Sequence, residues 1–227
     1  IPMLPEELSN DKCSLKPNED RLCLTVEIIL DEKGKKKSHS IFRSIINSKK
    51  RLTYQQVENV IINKNTHEIF DNKIIKVIKS LNEVYIILEI LRKKRGALNL
   101  ELPERKILFN DTGWPTQIKK VFGLTSNKII EELMILANVS AAEEILKFNY
   151  PAIYRVHEPP SPEKFKSLID IIGKPLANTL IGKVPHPSLM NKILENTKET
   201  ANYDMINQSI LRSQSQAKYH NKNKSHF

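Results

Sequence analysis

The order of strand and helix patterns along the chain is the feature that most restricts its fold. Residues 21–30 are predicted to form a strand rich in β-branched side chains, and residues 38–46 the returning strand of an antiparallel hairpin. Gly34 lies in the connecting turn and can take a positive φ there. A second pair of strands is predicted at residues 106–110 and 114–121. Because helical patterns separate the strands without a regular βαβ alternation, the sequence predicts an α+β fold.

Helical patterns fill most of the remaining chain. Thr53 and Gln56 form a capping-box pattern at the start of one helix. Apolar residues then recur at helical spacing from residue 72 to residue 95, which predicts a long helix. The basic residues and Gly96 at its end are typical of a helix C-terminus, and this explanation is preferred there to RNA binding.

The second half of the chain contains another long helix and several shorter elements. Thr125 or Ser126 is expected to cap this helix, which runs to about Lys147. The shorter elements are a strand at residues 153–156 and helices at residues 165–172, 187–198 and 202–213.

The charge balance favours an anionic partner without proving one. The net charge is +10 and 40% of the 227 residues are hydrophobic, which is enough for a packed core. A basic chain suits RNA or an acidic membrane face, but solvated lysine surfaces explain the charge equally well.

Cysteine usage and hydropathy indicate a cytoplasmic protein. Cys13 and Cys23 belong to no CxxC or Cys/His cluster, so we expect neither zinc nor a disulfide scaffold. No apolar run approaches the roughly 20 residues that span a bilayer, and no signal peptide pattern is present. We therefore expect no membrane partner.

Local motifs for catalysis are absent from the sequence. It has no P-loop, GxGxxG, HExxH or Gly-x-Ser-x-Gly pattern. The densest acid pairs are Glu6–Glu7, Glu131–Glu132 and Glu143–Glu144. Adjacent acids on a helix diverge by about 100°, so each pair supplies at most one ligand to a common site. We therefore predict no metal site, and assign no catalytic residue, in this chain alone.

Six sequence blocks, in the same order and with compatible spacing, resemble the catalytic (RNB) domain of the ribonuclease II and ribonuclease R family. The opening block reads IPMLPEELSN, and residues 51–57 fit R-L-x-Y-x-x-V. Residues 130–142 fit I-E-E-x-M-x-x-A-N-x-x-A-A. The remaining blocks lie at residues 92–96, 154–160 and 211–227. One block alone is weak evidence, but six in order are specific.

This resemblance implies an RNB-domain-like fold, with a mixed, mostly antiparallel sheet surrounded by helices. Residues 1–227 would be the central part of that domain. The family's aspartate cluster, its catalytic arginine segment and the flanking OB-fold (cold-shock and S1) domains would lie outside the chain. A partial domain of this kind is expected to be inactive alone, with the missing parts of the enzyme as partners.

The implied function is that of a segment of a 3′→5′ exoribonuclease. Such an enzyme hydrolyses single-stranded RNA to nucleoside 5′-monophosphates, and this chain would supply walls of the RNA channel. Mg²⁺ is the implied cofactor, and its ligands would be absent from this chain. The alternative is a non-catalytic remnant of such an enzyme that at most binds RNA.

The resemblance also implies roles for individual residues. Tyr54 corresponds to a tyrosine near the RNA 3′ end, and Glu131 to an acid that lines the same cavity. Asn138, Arg155 and His157 would be cavity-wall or supporting positions. Structural alternatives remain open: Tyr54 as a helix–sheet contact, Glu131 as the partner of a surface lysine, and His157 as a packed core histidine.

Two positions depart from the family pattern. Leu100 stands near the position of a stacking aromatic, and a leucine offers no π face to a base. Ser225 stands where the family has a glycine. Both departures favour the non-catalytic alternative.

Overall fold

The computed structural model describes residues 2–62, 71–100, 102–173, 180 and 182–224, and Ser225 therefore lies outside the described residues. The chain divides into two compact units, and the boundary falls within a long helix. Unit 1 comprises Ile1–Ile90 and Leu124–Phe148, and unit 2 comprises Leu91–Gly123 and Asn149–Phe227.

The described residues of unit 1 form one hairpin and three α-helices. After a short π-helix at Glu7–Lys12, its elements are β1 (Asp20–Leu30), β2 (Lys36–Asn47), α1 (Tyr54–Ile61), most of α2 (Asn72–Arg95) and α3 (Thr125–Lys147). The predicted hairpin and the predicted bounds of the long helix α2 are confirmed.

The hairpin β1–β2 is antiparallel, and residues close to the hairpin turn contact α3. Gly34 adopts the expected positive φ of 79° in that turn. Lys36 Nζ donates to Ser140 Oγ over 3.1 Å and forms an ion pair with Glu143. His39 Nε2 lies 3.2 Å from a carboxylate oxygen of Glu144. These contacts hold one end of the two-stranded sheet against the second half of α3.

The capping box of α1 forms as predicted. Thr53 Oγ1 accepts the Gln56 N–H over 3.3 Å, and the Thr53 N–H donates to Gln56 Oε1 over 2.9 Å. The prediction that Thr125 or Ser126 caps α3 is wrong, because α3 already begins at Thr125. The Ser126 hydroxyl instead donates to the Tyr54 carbonyl oxygen, which lies on α1.

The described residues of unit 2 form two antiparallel strand pairs and three helices. Its further elements are β3 (Glu104–Phe109), β4 (Pro115–Val121), β5 (Tyr154–Val156), α4 (Pro162–Ile172), α5 (Pro187–Thr197), α6 (Tyr203–Ser213) and β6 (Lys218–His220). The short strand β6 was not predicted. It lies in a polar stretch and forms only by pairing with β5, about 60 residues earlier in the chain.

The core of unit 2 is built by the three helices. Ser161 caps α4 by accepting the Lys164 N–H, and Pro162 occupies the first helical position. The buried core residues are Phe165, Leu168, Ile172, Leu180, Met190, Ile193, Leu194, Ile206 and Ile210. Leu98 and Leu100 pack against this cluster from the segment that follows α2.

Strand pairing in the described part of the chain gives three two-stranded antiparallel sheets, β1–β2, β3–β4 and β5–β6. A single isolated parallel bridge joins Pro17 and Ser48. The predicted α+β class, with antiparallel pairing and surrounding helices, is confirmed.

Candidate functional site

A groove in unit 1 that could hold a ligand lies between α1, the start of α2 and the start of α3. We call it the Tyr54 groove. It is lined by Lys49, Lys50, Leu52, Tyr54, Val57, Asp71, Lys73, Ile74, Val77, Ile78, Leu81, Ser126, Ile129 and Ile130. Its volume of about 950 Å³ lies at the upper end of the range for small-molecule sites.

Tyr54 lines this groove at the point where the start of α1 contacts the start of α3. It is the first residue of α1, directly after the capping residue Thr53. Its carbonyl oxygen accepts the Ser126 hydroxyl over 2.9 Å, and the Glu58 carboxylate accepts the Ser126 N–H over 2.8 Å. These two hydrogen bonds join α1 to α3. The Tyr54 side chain remains 48% exposed, so a ligand in the groove can contact its ring.

The lining of the groove combines apolar and charged side chains. Val57, Ile78 and Ile129 are among the apolar ones. Three lysines and one aspartate supply the charge, and the Asp71 carboxylate accepts the Lys73 N–H over 3.0 Å at the start of α2. This combination suits a flat or apolar group that also carries negative charge.

Glu131 and Asn138 lie on one exposed side of α3. They are seven residues apart, so they point within about 20° of each other and are separated by roughly 10 Å along the helix axis. Glu132, by contrast, is only 6% exposed. The two neighbouring acids therefore diverge as predicted, and Glu131 is the one that faces outward. Ile130, next to Glu131, lines the Tyr54 groove.

The other three predicted site residues belong to unit 2. Arg155 is exposed on β5, opposite Tyr219 of β6. His157 is half-buried, and its Nε2 lies 2.5 Å from the Ser215 carbonyl oxygen, so its ring fixes the chain just before β6. Leu100 packs against the core of its unit.

The described residues do not build a magnesium site. No group of three or more His, Cys, Asp or Glu side chains among them could hold a metal ion. Two or more convergent carboxylates are the donors that Mg²⁺ chemistry on phosphates needs. Within the same part of the chain, no helix is long and apolar enough to cross a membrane.

Sequence reasoning missed the lysines that line the groove and the hydrogen bonds around Ser126. Lys49 and Lys50 directly precede the block that carries Tyr54, so this basic run was a usable signal. No local signal indicated that Lys73 and Ser126 would line the same groove as Tyr54, because this arrangement depends on how three helices pack.

Comparison with known proteins gives the family. The RNB domain matches residues 1–227. Ribonuclease R of Aquifex aeolicus (strain VF5) is 36% identical over 228 residues, which cover 99% of this chain and 32% of that protein. Ribonuclease R of Escherichia coli (strain K12) is 34% identical over 230 residues, which cover 100% of this chain and 28% of that protein. The chain thus spans about a third of the length of these relatives.

A solved structure agrees with the sequence comparison. RNase R of Mycoplasma genitalium, in complex with ribose methylated single-stranded RNA, superposes with a TM-score of 0.88 at 30% identity. The match covers 100% of this chain and 35% of the other. The fold and the sequence together define an RNB-domain protein. The chain belongs to the RNB family, which includes the ribonucleases R.

Proposed function

We propose that this chain acts as part of a 3′→5′ exoribonuclease that hydrolyses single-stranded RNA to nucleoside 5′-monophosphates, and that it supplies walls of the RNA channel. The Tyr54 groove carries this proposal. It presents an exposed tyrosine ring beside apolar side chains and lysines, on helices that are joined through Ser126. Bases stack on aromatic rings and lysines attract phosphates, which is the usual chemistry of single-strand binding.

Tyr54 and Glu131 are the residues we propose to contact RNA. The Tyr54 ring would pack against a nucleotide near the 3′ end. Glu131 has a carboxylate that accepts hydrogen bonds when ionised, and the ribose 2′-hydroxyl is a donor that DNA lacks. Asn138 would extend the same exposed side of α3, and Arg155 and His157 are proposed as supporting positions.

The hydrolytic step is proposed to depend on Mg²⁺ bound by carboxylates that are not among the described residues. The described part of this chain would bind and orient RNA, and the chain alone would be inactive. Its partners would be single-stranded RNA and the remaining parts of such an enzyme.

A second candidate is a non-catalytic protein that retains RNA binding. Leu100 favours it, because this side chain packs against the core of unit 2 and cannot stack on a base. A channel that lacks one stacking aromatic residue would bind the 3′ end of the RNA with lower affinity.

A chimera separates these two functions. Residues 1–227 would replace the matching stretch of Escherichia coli ribonuclease R, and nucleotide release from a 5′-labelled single-stranded RNA would be followed with Mg²⁺ and with EDTA. The proposal expects Mg²⁺-dependent hydrolysis by the chimera and none by the chain alone. A folded chimera that binds RNA without hydrolysing it would support the non-catalytic candidate.

Two variants then test the groove itself. Tyr54→Ala in the chimera should lower kcat/KM about tenfold, since one base–aromatic contact contributes about 1–3 kcal/mol. Tyr54→Phe keeps the ring and is the matched control, with an expected loss below about threefold. Equal activity of the two variants would remove Tyr54 from the RNA channel.

A further inference from the structure

The hairpin β3–β4 of unit 2 is unusually open to solvent. All seven residues of β4 are exposed. At its tip, Asn110 Oδ1 accepts the N–H groups of Thr112 and Trp114 over 3.1 and 2.8 Å, which orders the turn. Trp114 is nevertheless 72% exposed. An ordered hairpin that leaves a tryptophan in water has a surface available for a partner.

A small cleft separates the base of this hairpin from α6. Its volume is about 300 Å³, and its lining includes Arg105, Lys120, Asp204, Gln208 and Arg212. Lys120 Nζ lies 2.5 Å from Asp204 Oδ2, so the single carboxylate in the lining is already neutralised. The cleft therefore keeps the charge of its two arginines.

Neither arginine has its charge compensated in the described part of the chain. No ion pair or hydrogen bond joins the guanidinium of Arg105 or of Arg212 to another described residue. Both residues are exposed. Guanidinium groups bind phosphate oxygens through paired N–H donors, and Gln208 adds an amide donor beside them.

The strand register links this cleft to an apolar strip. Arg105 pairs with Lys120 and Ile107 pairs with Ile118, so these four side chains share one face of the hairpin. Phe109 follows on the same side of β3 and is also exposed. From the cleft to Phe109 this face extends for about 13 Å along the strand.

We infer that this face of β3–β4, with the cleft at its base, is a second binding surface for single-stranded RNA. Arg105 and Arg212 bind a backbone phosphate in the cleft, Phe109 offers a ring on which a base stacks, and the exposed Trp114 at the hairpin tip offers a second ring. The inference rests on the proposed function, since it assumes RNA as the partner. It differs in location, because the Tyr54 groove belongs to unit 1.

Charge favours RNA over a protein as the occupant. A protein interface that buried two uncompensated guanidinium groups would need matching carboxylates on the partner, whereas every nucleotide of RNA brings a phosphate. The apolar strip beside the cations is also the arrangement by which single strands are bound without sequence preference.

Binding of a 5′-fluorescein-labelled oligouridylate to the purified 227-residue chain tests the inference by fluorescence anisotropy at several salt concentrations. The variant Arg105→Ala with Arg212→Ala should bind about tenfold more weakly. The slope of log K against log salt should fall by about 0.7, the value for one lost phosphate contact on a single strand. Phe109→Leu with Trp114→Leu removes two stacking rings, so it should lower affinity about thirtyfold and leave the slope unchanged.

The hairpin supplies its own matched control. Lys106 and Lys119 pair with each other on the opposite face, so Lys106→Ala with Lys119→Ala removes the same amount of charge from the other side of the hairpin. This variant should lose less than about twofold in affinity. Far-ultraviolet circular dichroism and the Tm would show that all variants fold alike.

Each other result overturns the inference. An equal loss in the arginine and lysine variants would mean that only net charge matters. If the arginine and lysine variants both bind RNA as tightly as the parent chain while Tyr54→Ala binds it more weakly, the proposed function stands. The exposed hairpin face would then be assigned to a protein partner. If the parent chain does not bind the oligouridylate even at low salt, the proposed RNA-binding surface on β3–β4 is also rejected. The proposed function is tested separately, by RNA hydrolysis in the chimera.

Discussion

The hairpins β1–β2 and β3–β4 have similar local structures and different surroundings. Each is a two-stranded antiparallel pair with one register shift near its turn, and each turn contains a glycine with φ close to 80°. The first is fastened to α3 through Lys36 and His39. The second meets α6 through Lys120 and leaves all of β4 exposed. Local sequence thus determines that a hairpin forms, while its neighbours determine how much of it remains open to a ligand.

The largest expected effect contrasts the exposed hairpin with the core of the same unit. Leu168 is 1% exposed and Ile118 is 67% exposed. Leu168→Ala removes packed methyl groups and should lower the free energy of unfolding by about 2–5 kcal/mol. Ile118→Ala should change it by less than about 0.5 kcal/mol. Urea unfolding followed by circular dichroism measures both.

The control for this comparison is a second buried position. Ile193→Ala should resemble Leu168→Ala, because Ile193 belongs to the same core. If Ile118→Ala cost as much as the core variants, the hairpin would be packed in solution and its exposed face would not be available to RNA.

Much of the fold followed from local signals. The hairpin turn at Gly34, the capping box at Thr53 and the apolar period of α2 each act over a few residues, and all three are confirmed. The strand β6 was missed because it forms by pairing with a distant segment. The cap of α3 was misassigned because the Ser126 hydroxyl binds the Tyr54 carbonyl oxygen instead.

The candidate site was only partly accessible to sequence reasoning. The family blocks pointed to Tyr54 and Glu131, and the structure places both in unit 1. The roles of these residues remain predictions. The cleft beside β3–β4 could not be predicted, because Arg105 and Arg212 are more than 100 residues apart and meet only through packing of the hairpin beside α6.

The two turn glycines provide a finer comparison of the hairpins. Gly34 has φ 79° and is buried, whereas Gly113 has φ 81° with no atom within 4 Å of an added Cβ. An alanine in the left-handed region costs roughly 1–2 kcal/mol. Gly113→Ala should therefore cost about 1 kcal/mol, and Gly34→Ala about 2 kcal/mol, because its methyl group must also fit a buried site.

Thermal unfolding of both glycine variants measures this difference. Asparagine tolerates positive φ better than alanine, so Gly113→Asn should recover part of the loss. Equal losses for Gly34→Ala and Gly113→Ala would show that the burial of Gly34 adds nothing to the cost of its backbone conformation.

The smallest expected effect concerns the two lysines that attach the hairpins. The Lys36 side chain is 15% exposed, pairs with Glu143 and donates to Ser140. The Lys120 side chain is 55% exposed, and Asp204 is its single partner among the described residues. Exposed ion pairs contribute about 0–1 kcal/mol because water and salt screen them. Lys36→Ala should cost about 1 kcal/mol and Lys120→Ala less than about 0.5 kcal/mol.

Salt dependence sharpens this last comparison. The Lys120–Asp204 pair is exposed to solvent. Its contribution to the free energy of unfolding should therefore vanish in about 0.5 M salt, where the screening length is only a few ångströms. The Lys36 hydrogen bond to Ser140 is shielded by α3 and should persist. Because Ser140 Oγ also donates to the Leu136 carbonyl oxygen, the hydroxyl stays partnered in Lys36→Ala, which limits the loss to the attachment itself. If Lys120→Ala were the costlier change at high salt, β3–β4 would be the more firmly attached hairpin, and the contrast between a structural and an open hairpin would be reversed.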